Sequence, residues 1–444
     1  MENYRSSKNN YPKIGFCVIQ HPLEVGTDKS LSVLKETVKE FSSYPVEFIP
    51  FNEIVDNDEK AAKAGDYFYN HKIDVLLAIQ STWSNDYHVI DILEYVDVAV
   101  VLWAIPGMEN GSLCGIHQLG VVLCELGEKY QIFFGNLNDK KVHSKILAYA
   151  KACALKKYLR TQKIGLVGYR IPGMTEVTFD EFELKKALGP RVVHFGINYV
   201  QEMANNVKEF QAKKIWENVK NGGVGVEVND EDGVASCKNY LVLDKIAKEN
   251  NISGFAVECY PELMGQVCLA ASLLAERNIV VACEGDVNST LAMMILNYLT
   301  GLPVHNTDLL NPDSENSVVF SHCGSGAFSL AKERSKIRLC PVRLQNCGVC
   351  VTFLAKLGDI SLVNIVGRKD TYRISAIQGY SQETEMVFPG DPVSARLNIP
   401  VETYLDIIAE NAVGHHWMIG YGKVLEEIRY FSELVGVRFI DFAC

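Results

Sequence analysis

The sequence predicts an α/β fold made of two tandem Rossmann-like, doubly wound domains and a C-terminal antiparallel β-barrel-like domain. Two observations lead to this prediction. Apolar strand-like segments alternate with helical segments through most of the chain, and the alternation starts afresh at Lys163. After about residue 337, short strands separated by turn residues replace that pattern. We therefore expect domains at residues 1–162, 163–336 and 337–444.

The first domain is expected to be a parallel sheet between helices, because several of its strand-like segments are nearly continuous apolar runs. The predicted strands are Lys13–Ile19, Val46–Phe51, Val75–Ile79, Val98–Ala104 and Gln131–Gly135. Apolar residues at helical spacing predict helices at 30–41 and 58–70, and a helix over 140–161 leads into the second domain.

The same reasoning gives the elements of the other two domains. The second domain is predicted to contain strands at Ile164–Gly168, Val192–Gly196, Gly254–Val257, Ile279–Cys283, Val304–Thr307 and Val318–Ser321. The third is predicted to contain strands at Ile337–Val342, Gly348–Leu354, Ile360–Val366, Tyr372–Gly379 and Val393–Ile399, with a helix over 400–412.

Composition restricts the class of protein. The formal net charge is -11 and there is no Lys/Arg-rich block, so nucleic acid is not an expected partner. The N-terminus is polar and no run of 18 apolar residues occurs, so we expect neither a signal peptide nor a membrane span. Most of the thirteen cysteines lie within apolar segments, which is typical of reduced thiols in a cytoplasmic protein. Cys347 and Cys350 form a Cys-x-x-Cys motif, for which a plain strand is favoured over redox or metal chemistry.

Two carboxylates are the leading candidates for chemistry. Glu284 follows the apolar run Ile279–Cys283, and Asp308 follows Val304–Thr307 after an intervening helical segment. A strand–helix–strand unit normally joins parallel, often neighbouring strands, so both acids are expected at the carboxyl edge of one sheet, where α/β proteins bind ligands. Carboxylates held that close share a proton or a cation. The alternative is that they are helix caps or solvated edge residues, although Asp286 can cap the helix and leave Glu284 free.

A second candidate is the vicinal histidine pair His415 and His416, which is followed by Trp417. Adjacent side chains on a strand point to opposite faces, so at most one of the two imidazoles faces a given site. A lone histidine is more often a satisfied core residue than a ligand. From spacing alone, nothing brings this pair to the carboxylates.

Further candidates lie near strand ends. Glu258 is a possible pocket wall or an ordinary strand terminus, and His322 precedes a glycine-rich turn that lacks a Walker lysine. Trp103, His117 and Gln118 carry side chains suited to sugar recognition, and they are equally compatible with ordinary loop residues.

Three groups of motifs, one in each predicted domain, form a recognisable set. They are Leu102-Trp-Ala-Ile-Pro106 with Ser112-Leu-Cys-Gly115, Ala282-Cys-Glu-Gly-Asp-Val287 with Leu299-Thr-Gly301 and Asn306-Thr-Asp308, and Gly414-His-His-Trp-Met-Ile-Gly420. Together they resemble the L-fucose isomerase and L-arabinose isomerase superfamily. The spacing between the two acids is the most specific part of the resemblance. The chain is shorter than typical fucose isomerases, and the stretches between the motifs match poorly. The resemblance therefore implies the fold and the metal site but does not specify the substrate.

The resemblance implies a metal site formed by Glu284, Asp308 and one histidine, with His416 preferred and His415 in reserve. It implies Mn²⁺, or another divalent cation, and a homo-oligomer, usually a hexamer, in which the first domain of a neighbouring subunit completes the pocket. Trp103 and His117 would then act across a subunit boundary. The full set of residues expected to contact substrate is Trp103, His117, Gln118, Glu258, His322 and Trp417.

The function expected from this resemblance is metal-dependent aldose–ketose isomerisation of a fucose- or arabinose-type sugar, with Glu284 and Asp308 as ligands and as the acid/base pair. One alternative is the same reaction on a sugar charged at C6, such as sulfoquinovose. A second alternative is a non-catalytic sugar-binding or sensor protein, because two tandem α/β domains also describe hinge-closing binding proteins. Candidates for contacting a sulfonate are Arg170, His194, Arg343 and Arg368.

Overall fold

The computed structural model describes residues 11–442, which form two compact units at residues 11–157 and 158–442. We call them the N-terminal and C-terminal units. They contain parallel sheets covered by helices and a closed antiparallel barrel, so the predicted fold class is confirmed. The division into three domains at residues 162 and 336 stays a prediction.

The N-terminal unit is a five-stranded parallel sheet in the order β2-β1-β3-β4-β5. Its central strands are buried almost throughout, as the apolar runs of the sequence require for a sheet covered on both faces. Its strands are β1 (Lys13–Ile19), β2 (Glu47–Val55), β3 (Val75–Gln80), β4 (Ala99–Ala104) and β5 (Tyr130–Phe134). Its helices are α1 (Ser30–Phe41), α2 (Asp58–His71), α3 (Tyr87–Leu93), α4 (Ser112–Leu126) and most of α5 (Lys140–Thr161), whose last four residues belong to the C-terminal unit.

The C-terminal unit begins with a second parallel sheet, in the order β10-β9-β6-β7. A short strand of this region, β8, instead joins the hairpin of strands β13 (Arg338–Val342) and β14 (Cys347–Thr352). The strands are β6 (Lys163–Val167), β7 (Arg191–Phe195), β8 (Gly225–Val226), β9 (Gly254–Val257) and β10 (Val280–Ala282). The helices are α6 (Glu181–Glu183), α7 (Ile197–Asn205), α8 (Glu209–Lys220), α9 (Asp230–Asn250), α10 (Cys268–Ala275) and α11 (Val287–Thr300).

The barrel of the C-terminal unit closes from six antiparallel strands in the order β15-β18-β11-β12-β17-β16, because β16 also pairs with β15. Strand β19 adds to β16 in parallel. The strands are β11 (Val304–Ser314), β12 (Ser317–Ser321), β13 (Arg338–Val342), β14 (Cys347–Thr352), β15 (Gly358–Val366), β16 (Arg373–Gln382), β17 (Val393–Leu397), β18 (His416–Tyr421) and β19 (Arg438–Asp441). The helices are α12 (Val401–Asn411) and α13 (Leu425–Val435).

Strand β11 corrects one expectation. The sequence predicts that residues 304–307 return to the sheet containing residues 279–283, and this is wrong. In the described chain β10 pairs with β9 alone, whereas β11 lies in the barrel between β18 and β12. The physical reason is α11, which is buried along residues 287–296 because it packs on β9 and β10 and also on β15 and β18. A helix that is apolar on all sides can cross to a second layer, which a strand–helix–strand pattern does not reveal.

The Cys-x-x-Cys motif lies in β14, so the strand predicted there is confirmed. Within residues 11–442, none of the helices combines the length and the apolar character that crossing a bilayer would require.

Candidate metal centre

The barrel brings three polar side chains together at one end. Asp308 on β11 lies directly opposite His416 on β18 in the antiparallel register. On the other side of β11, Asp308 lies opposite Ser321, the last residue of β12, and His322 follows. Directly opposed residues of an antiparallel pair have neighbouring side chains on the same face. Strand pairing therefore brings His416, more than 100 positions along the chain, beside Asp308.

Glu284 reaches the same place from the parallel sheet. It follows β10 in a turn where Glu284 has φ +66° and Gly285 has φ +67°. A non-glycine residue in this left-handed region costs about 1–3 kcal/mol, and such strain concentrates at functional sites. Gly285 is required there, since a Cβ at this position would lie 2.2 Å from the carbonyl oxygen of Tyr169. Its N–H donates to the carbonyl oxygen of Val257 at 2.9 Å, which fixes the turn on β9.

The ligand atoms of the other three side chains each lie within 4.8 Å of a ring nitrogen of His416. The Nε2 atom of His416 lies 2.9 Å from Oε2 of Glu284 and 3.6 Å from Oδ1 of Asp308. The Nε2 atom of His322 lies 3.9 Å from a carboxylate oxygen of Glu284 and 3.9 Å from one of Asp308. Ligand atoms of Asp308, His322 and His416 all lie within 4.8 Å of one another. Such a set of two carboxylates and imidazole nitrogens suits a divalent cation such as Mn²⁺.

A further observation supports a cation here. The Oδ1 atom of Asp308 is buried and accepts no hydrogen bond from residues 11–442. A buried carboxylate oxygen without a hydrogen bond is costly, and coordination of a metal is one of the few ways to compensate it. The residues present therefore fit a divalent ion.

Asp286 holds His416 in place from the other side. Its Oδ2 atom lies 2.7 Å from Nδ1 of His416, and its Oδ1 atom accepts a hydrogen bond from the backbone N–H of Ser289 at 2.9 Å. The prediction that Asp286 caps the helix after Glu284 is thus confirmed. Its contact with His416 was missed, although a second acid two positions after Glu284 was a visible signal. A carboxylate on Nδ1 directs Nε2 towards a metal, as outer-shell partners of metal-binding histidines do.

The carboxylates and imidazoles of the site shift one another's pKa values. Burial would lower the pKa of His416, but its hydrogen bonds to Asp286 and Glu284 raise that pKa to about 10. Burial would raise the pKa of Glu284, but the hydrogen bond from His416 and the nearby His322 lower it overall. Burial would likewise lower the pKa of His322, which the Asp308 carboxylate raises well above its usual range. A metal ion bound by these atoms would displace the imidazole protons.

The two vicinal histidines have different surroundings. His416 is buried, whereas the His415 side chain is 40% exposed and contacts the carboxylate of Glu176 through Nδ1. The ligand atom of His415 is close enough to Glu284 and His416 to form a second possible group of three. The structure places His416 at the centre and His415 at its edge. Metal binding by His416 stays a prediction.

The two predicted substrate-contacting tryptophans are core residues. Trp417 has no exposed surface and lies on the opposite face of β18 from His416, with its ring centroid 5.6 Å from that of Tyr404. Trp103 is also fully buried, within the N-terminal unit, where its Nε1–H donates to the carbonyl oxygen of Gly135 at 3.1 Å. A side chain without exposed surface cannot contact a sugar, so the expectation for these two residues is corrected.

The other predicted contacts are placed differently. His117 and Gln118 are exposed on α4, and Gln118 accepts a hydrogen bond from Nε1 of Trp83 at 2.9 Å. Trp83 follows β3 and was overlooked in the sequence. Glu258 accepts a hydrogen bond from the backbone N–H of Tyr169 at 2.6 Å, so it supports the loop after β6. His322 lies inside the candidate centre itself, where the sequence predicted a substrate contact.

Sulfoquinovose isomerase from Priestia megaterium is 26% identical over 398 residues, which cover 87% of this chain and 89% of that protein. Sulfoquinovose isomerase from Alkalicoccus urumqiensis is 24% identical, over 78% of this chain and 80% of that protein. Sulfoquinovose isomerase from Clostridium sp. is also 24% identical, over 81% of this chain and 84% of that protein. The chain is similar to sugar isomerases along most of its length.

Other comparisons add little. No protein-family model matches the chain. Among solved structures, a periplasmic solute-binding protein from Actinobacillus succinogenes with bound D-allose is 11% identical with a TM-score of 0.18, over 66% of this chain and 85% of that one. A glucose-galactose binding protein from Geobacillus stearothermophilus is 10% identical with a TM-score of 0.17, over 66% of this chain and 92% of that one. Scores this low support no conclusion about fold or function.

Proposed function

We propose that the chain is a metal-dependent aldose–ketose isomerase of the kind that L-fucose isomerase represents. The observation that carries the proposal is that carboxylate oxygens of Glu284 and Asp308 lie 2.9 Å and 3.6 Å from Nε2 of His416, in a chain similar to sugar isomerases. Mn²⁺ is the ion we favour, because two carboxylates and an imidazole match its ligand preference better than that of zinc.

The reaction moves a proton between C1 and C2 of an open-chain sugar. A bound divalent cation would supply Lewis-acid stabilisation for the negative charge that develops on the two oxygens. Glu284 is suited to take the proton from C2, because its carboxylate lies beside Nε2 of His416. Asp308 faces the same point and can return a proton to the sugar. Asp286 keeps the ring of His416 oriented and leaves its Nε2 atom free.

For the substrate we favour a sugar with a sulfonate at C6 over a neutral fucose- or arabinose-type sugar. The support is that the curated relatives are named sulfoquinovose isomerases. Among the predicted sulfonate contacts, Arg170 and His194 line a cleft of about 450 Å³ that also includes Gly285, next to Glu284. The Nε atom of Arg170 is buried and donates no hydrogen bond to the part of the chain that the structure describes. Arg343 and Arg368 are both exposed.

The remaining expectations extend this proposal. A homo-oligomer, with a hexamer as the preferred form, would let a neighbouring subunit complete the pocket, and His117 and Gln118 are exposed in a way that suits such a role. We also propose that the enzyme acts in the cytoplasm.

The deciding experiment compares Glu284→Gln with wild-type protein in the presence of Mn²⁺. Sulfoquinovose, L-fucose and D-arabinose are assayed for ketose product, with and without a chelator. We expect Glu284→Gln to keep the thermal stability of the wild type and to lose turnover by several orders of magnitude. Glu249→Gln is the matched control, because Glu249 is exposed on α9. Near wild-type turnover of Glu284→Gln would overturn the catalytic assignment, and sugar binding without metal or turnover would favour a binding protein.

A further inference from the structure

A second cleft lies at the edge of the candidate metal centre, and the proposed reaction gives it no role. It is formed by residues 171–176 together with His415 and has a volume of about 330 Å³. Ligand pockets in proteins span about 300–1,000 Å³, so the cleft is large enough for part of a sugar. We call it the second cleft, to distinguish it from the cleft of Arg170 and His194.

One wall of the second cleft is the loop that follows β6. The backbone N–H of Ile171 donates to the carbonyl oxygen of Glu284 at 3.4 Å, so the loop is tied to the turn that carries this acid. Farther along the loop, Thr175–Val177 forms one turn of 3₁₀-helix. This turn places the carboxylate of Glu176 in contact with Nδ1 of His415. The loop thus brings a carboxylate that is not a predicted metal ligand to the edge of the centre.

His415 connects Glu176 to the centre. Its ring centroid lies 4.0 Å from that of His416, and one of its ring nitrogens lies within 4.8 Å of the ligand atoms of Glu284 and His416. Glu176 turns one carboxylate oxygen towards His415, while its side chain stays 46% exposed. A carboxylate has about four acceptor positions, so Glu176 can accept further hydrogen bonds from a group in the second cleft. Such a group would lie beside a sugar held at the centre.

The charge of the second cleft distinguishes the groups it can bind. It contains the carboxylate of Glu176 and the imidazole of His415, and among the residues that the structure describes its lining includes no Arg or Lys. A carboxylate repels a sulfonate, whereas it accepts hydrogen bonds from hydroxyl groups. The guanidinium of Arg170 lines the other cleft. Charge therefore directs a sulfonate to the cleft of Arg170 and sugar hydroxyls to the second cleft.

We propose that Glu176, oriented by His415, accepts a hydrogen bond from the hydroxyl group on C3 or C4 of the sugar and so determines which sugars react. The inference rests on the proposed function, because it takes C1 and C2 to be held at the metal centre. C3 and C4 are the next carbons of the chain, and their hydroxyl groups need partners from the protein. A site built to bind a substrate hydroxyl discriminates strongly against an analogue that lacks it. Glu176 takes no part in the proton transfer between C1 and C2.

The test compares Glu176→Ala with wild type, both as the full chain saturated with Mn²⁺. The substrates are the sugar that wild type converts best, among sulfoquinovose, L-fucose and D-arabinose, and its 3-deoxy and 4-deoxy analogues. An analogue that does not react is measured as a competitive inhibitor, with its inhibition constant in place of KM.

For the parent sugar, the KM of Glu176→Ala should rise about 10- to 100-fold, because a hydrogen bond to a charged group is lost. The kcat should change less than about threefold, since the contact is made before and during the reaction. For one of the two deoxy analogues, the variant and wild type should differ less than about threefold. Glu202→Ala, which removes an exposed carboxylate from α7, should leave KM unchanged.

Two kinetic results would overturn the inference. One is an unchanged KM of Glu176→Ala for the parent sugar. The other is an equal rise for the parent and both deoxy analogues. Titration with Mn²⁺ adds a third criterion, because Glu176→Ala should bind the ion within about threefold of the wild-type affinity. A loss of more than about tenfold would make Glu176 an outer-shell partner of a metal-binding His415, and would overturn its role in sugar recognition.

Failure of the proposed function gives a different result. A wild-type protein that isomerises none of the sugars would contradict the isomerase assignment alone. Isothermal titration of the Mn²⁺-loaded protein with the same sugars then decides about Glu176. Glu176→Ala should bind the tightest of them about 10- to 100-fold more weakly than wild type does, and equal affinities or no binding to either protein would overturn the inference.

Discussion

Asp286→Asn tests the role of the carboxylate that faces the back of His416. The substitution preserves the size of the side chain and its ability to cap α11, because asparagine and aspartate are nearly equivalent as N-caps. It removes the negative charge that lies 2.7 Å from Nδ1 of His416. Loss of an outer-shell partner typically weakens metal affinity 10- to 100-fold. This corresponds to about 1.4–2.7 kcal/mol of binding free energy.

The measurement is isothermal titration of metal-free protein with Mn²⁺, together with the melting temperature of the metal-free form. Asp286→Asn is expected to bind Mn²⁺ more weakly by that factor. The melting temperature of its metal-free form should also fall at neutral pH, because the buried His416 loses the carboxylate that raises its pKa. Asp286→Ala is the comparison, because it also removes the cap and should cost about 1 kcal/mol of stability besides the affinity. Wild-type affinity for Mn²⁺ in Asp286→Asn would refute the view that this carboxylate prepares His416 for a metal.

Four further substitutions test the description of the site. His416→Ala is expected to weaken Mn²⁺ binding more than about 100-fold, since it removes a ligand and not only an outer-shell partner. His415→Ala should change the affinity less than about tenfold. Equal effects of the two variants in titration would contradict the preference for His416. Gly285→Ala should lower the free energy of unfolding in urea by at least about 1 kcal/mol, because a left-handed position gains a Cβ that collides with Tyr169. An unchanged midpoint of urea unfolding would show that the turn adapts. Trp417→Ala should cost about 3–5 kcal/mol of stability as a large-to-small change in the core. A raised KM without loss of stability would instead indicate that Trp417 contacts the substrate.

Much of the fold could be predicted because hydrophobic periodicity determines which segments are strands and helices. The runs at Lys13–Ile19 and Gly254–Val257 are strands with the predicted bounds. The two acids were singled out because each follows an apolar strand-like run. The predicted reason for their proximity was wrong, since β10 and β11 belong to different sheets. Alternation of elements along a chain does not specify which layer the next strand joins.

What the sequence could not supply was long-range pairing. The proximity of His416 to Asp308 follows from the register of β18 with β11, which local residue patterns do not encode. The same limitation explains why the two tryptophans were predicted as substrate contacts. The sequence does not show whether an aromatic residue beside a polar motif faces the site or the core, because the alternation of a strand places Trp417 and His416 on opposite faces. Only the folded chain shows which face is the interior.

The origin of the ligands has a consequence for the energetics of the C-terminal unit. Glu284 belongs to the parallel sheet, whereas Asp308, His322 and His416 belong to the barrel. An ion held by both would resist their separation and couple the two layers mechanically. The stability of this unit would then depend on the free concentration of the ion, rising by about 2.7 kcal/mol when that concentration is a hundred times the dissociation constant. A low concentration of the ion would therefore lower the stability of this unit as well as the activity of the enzyme.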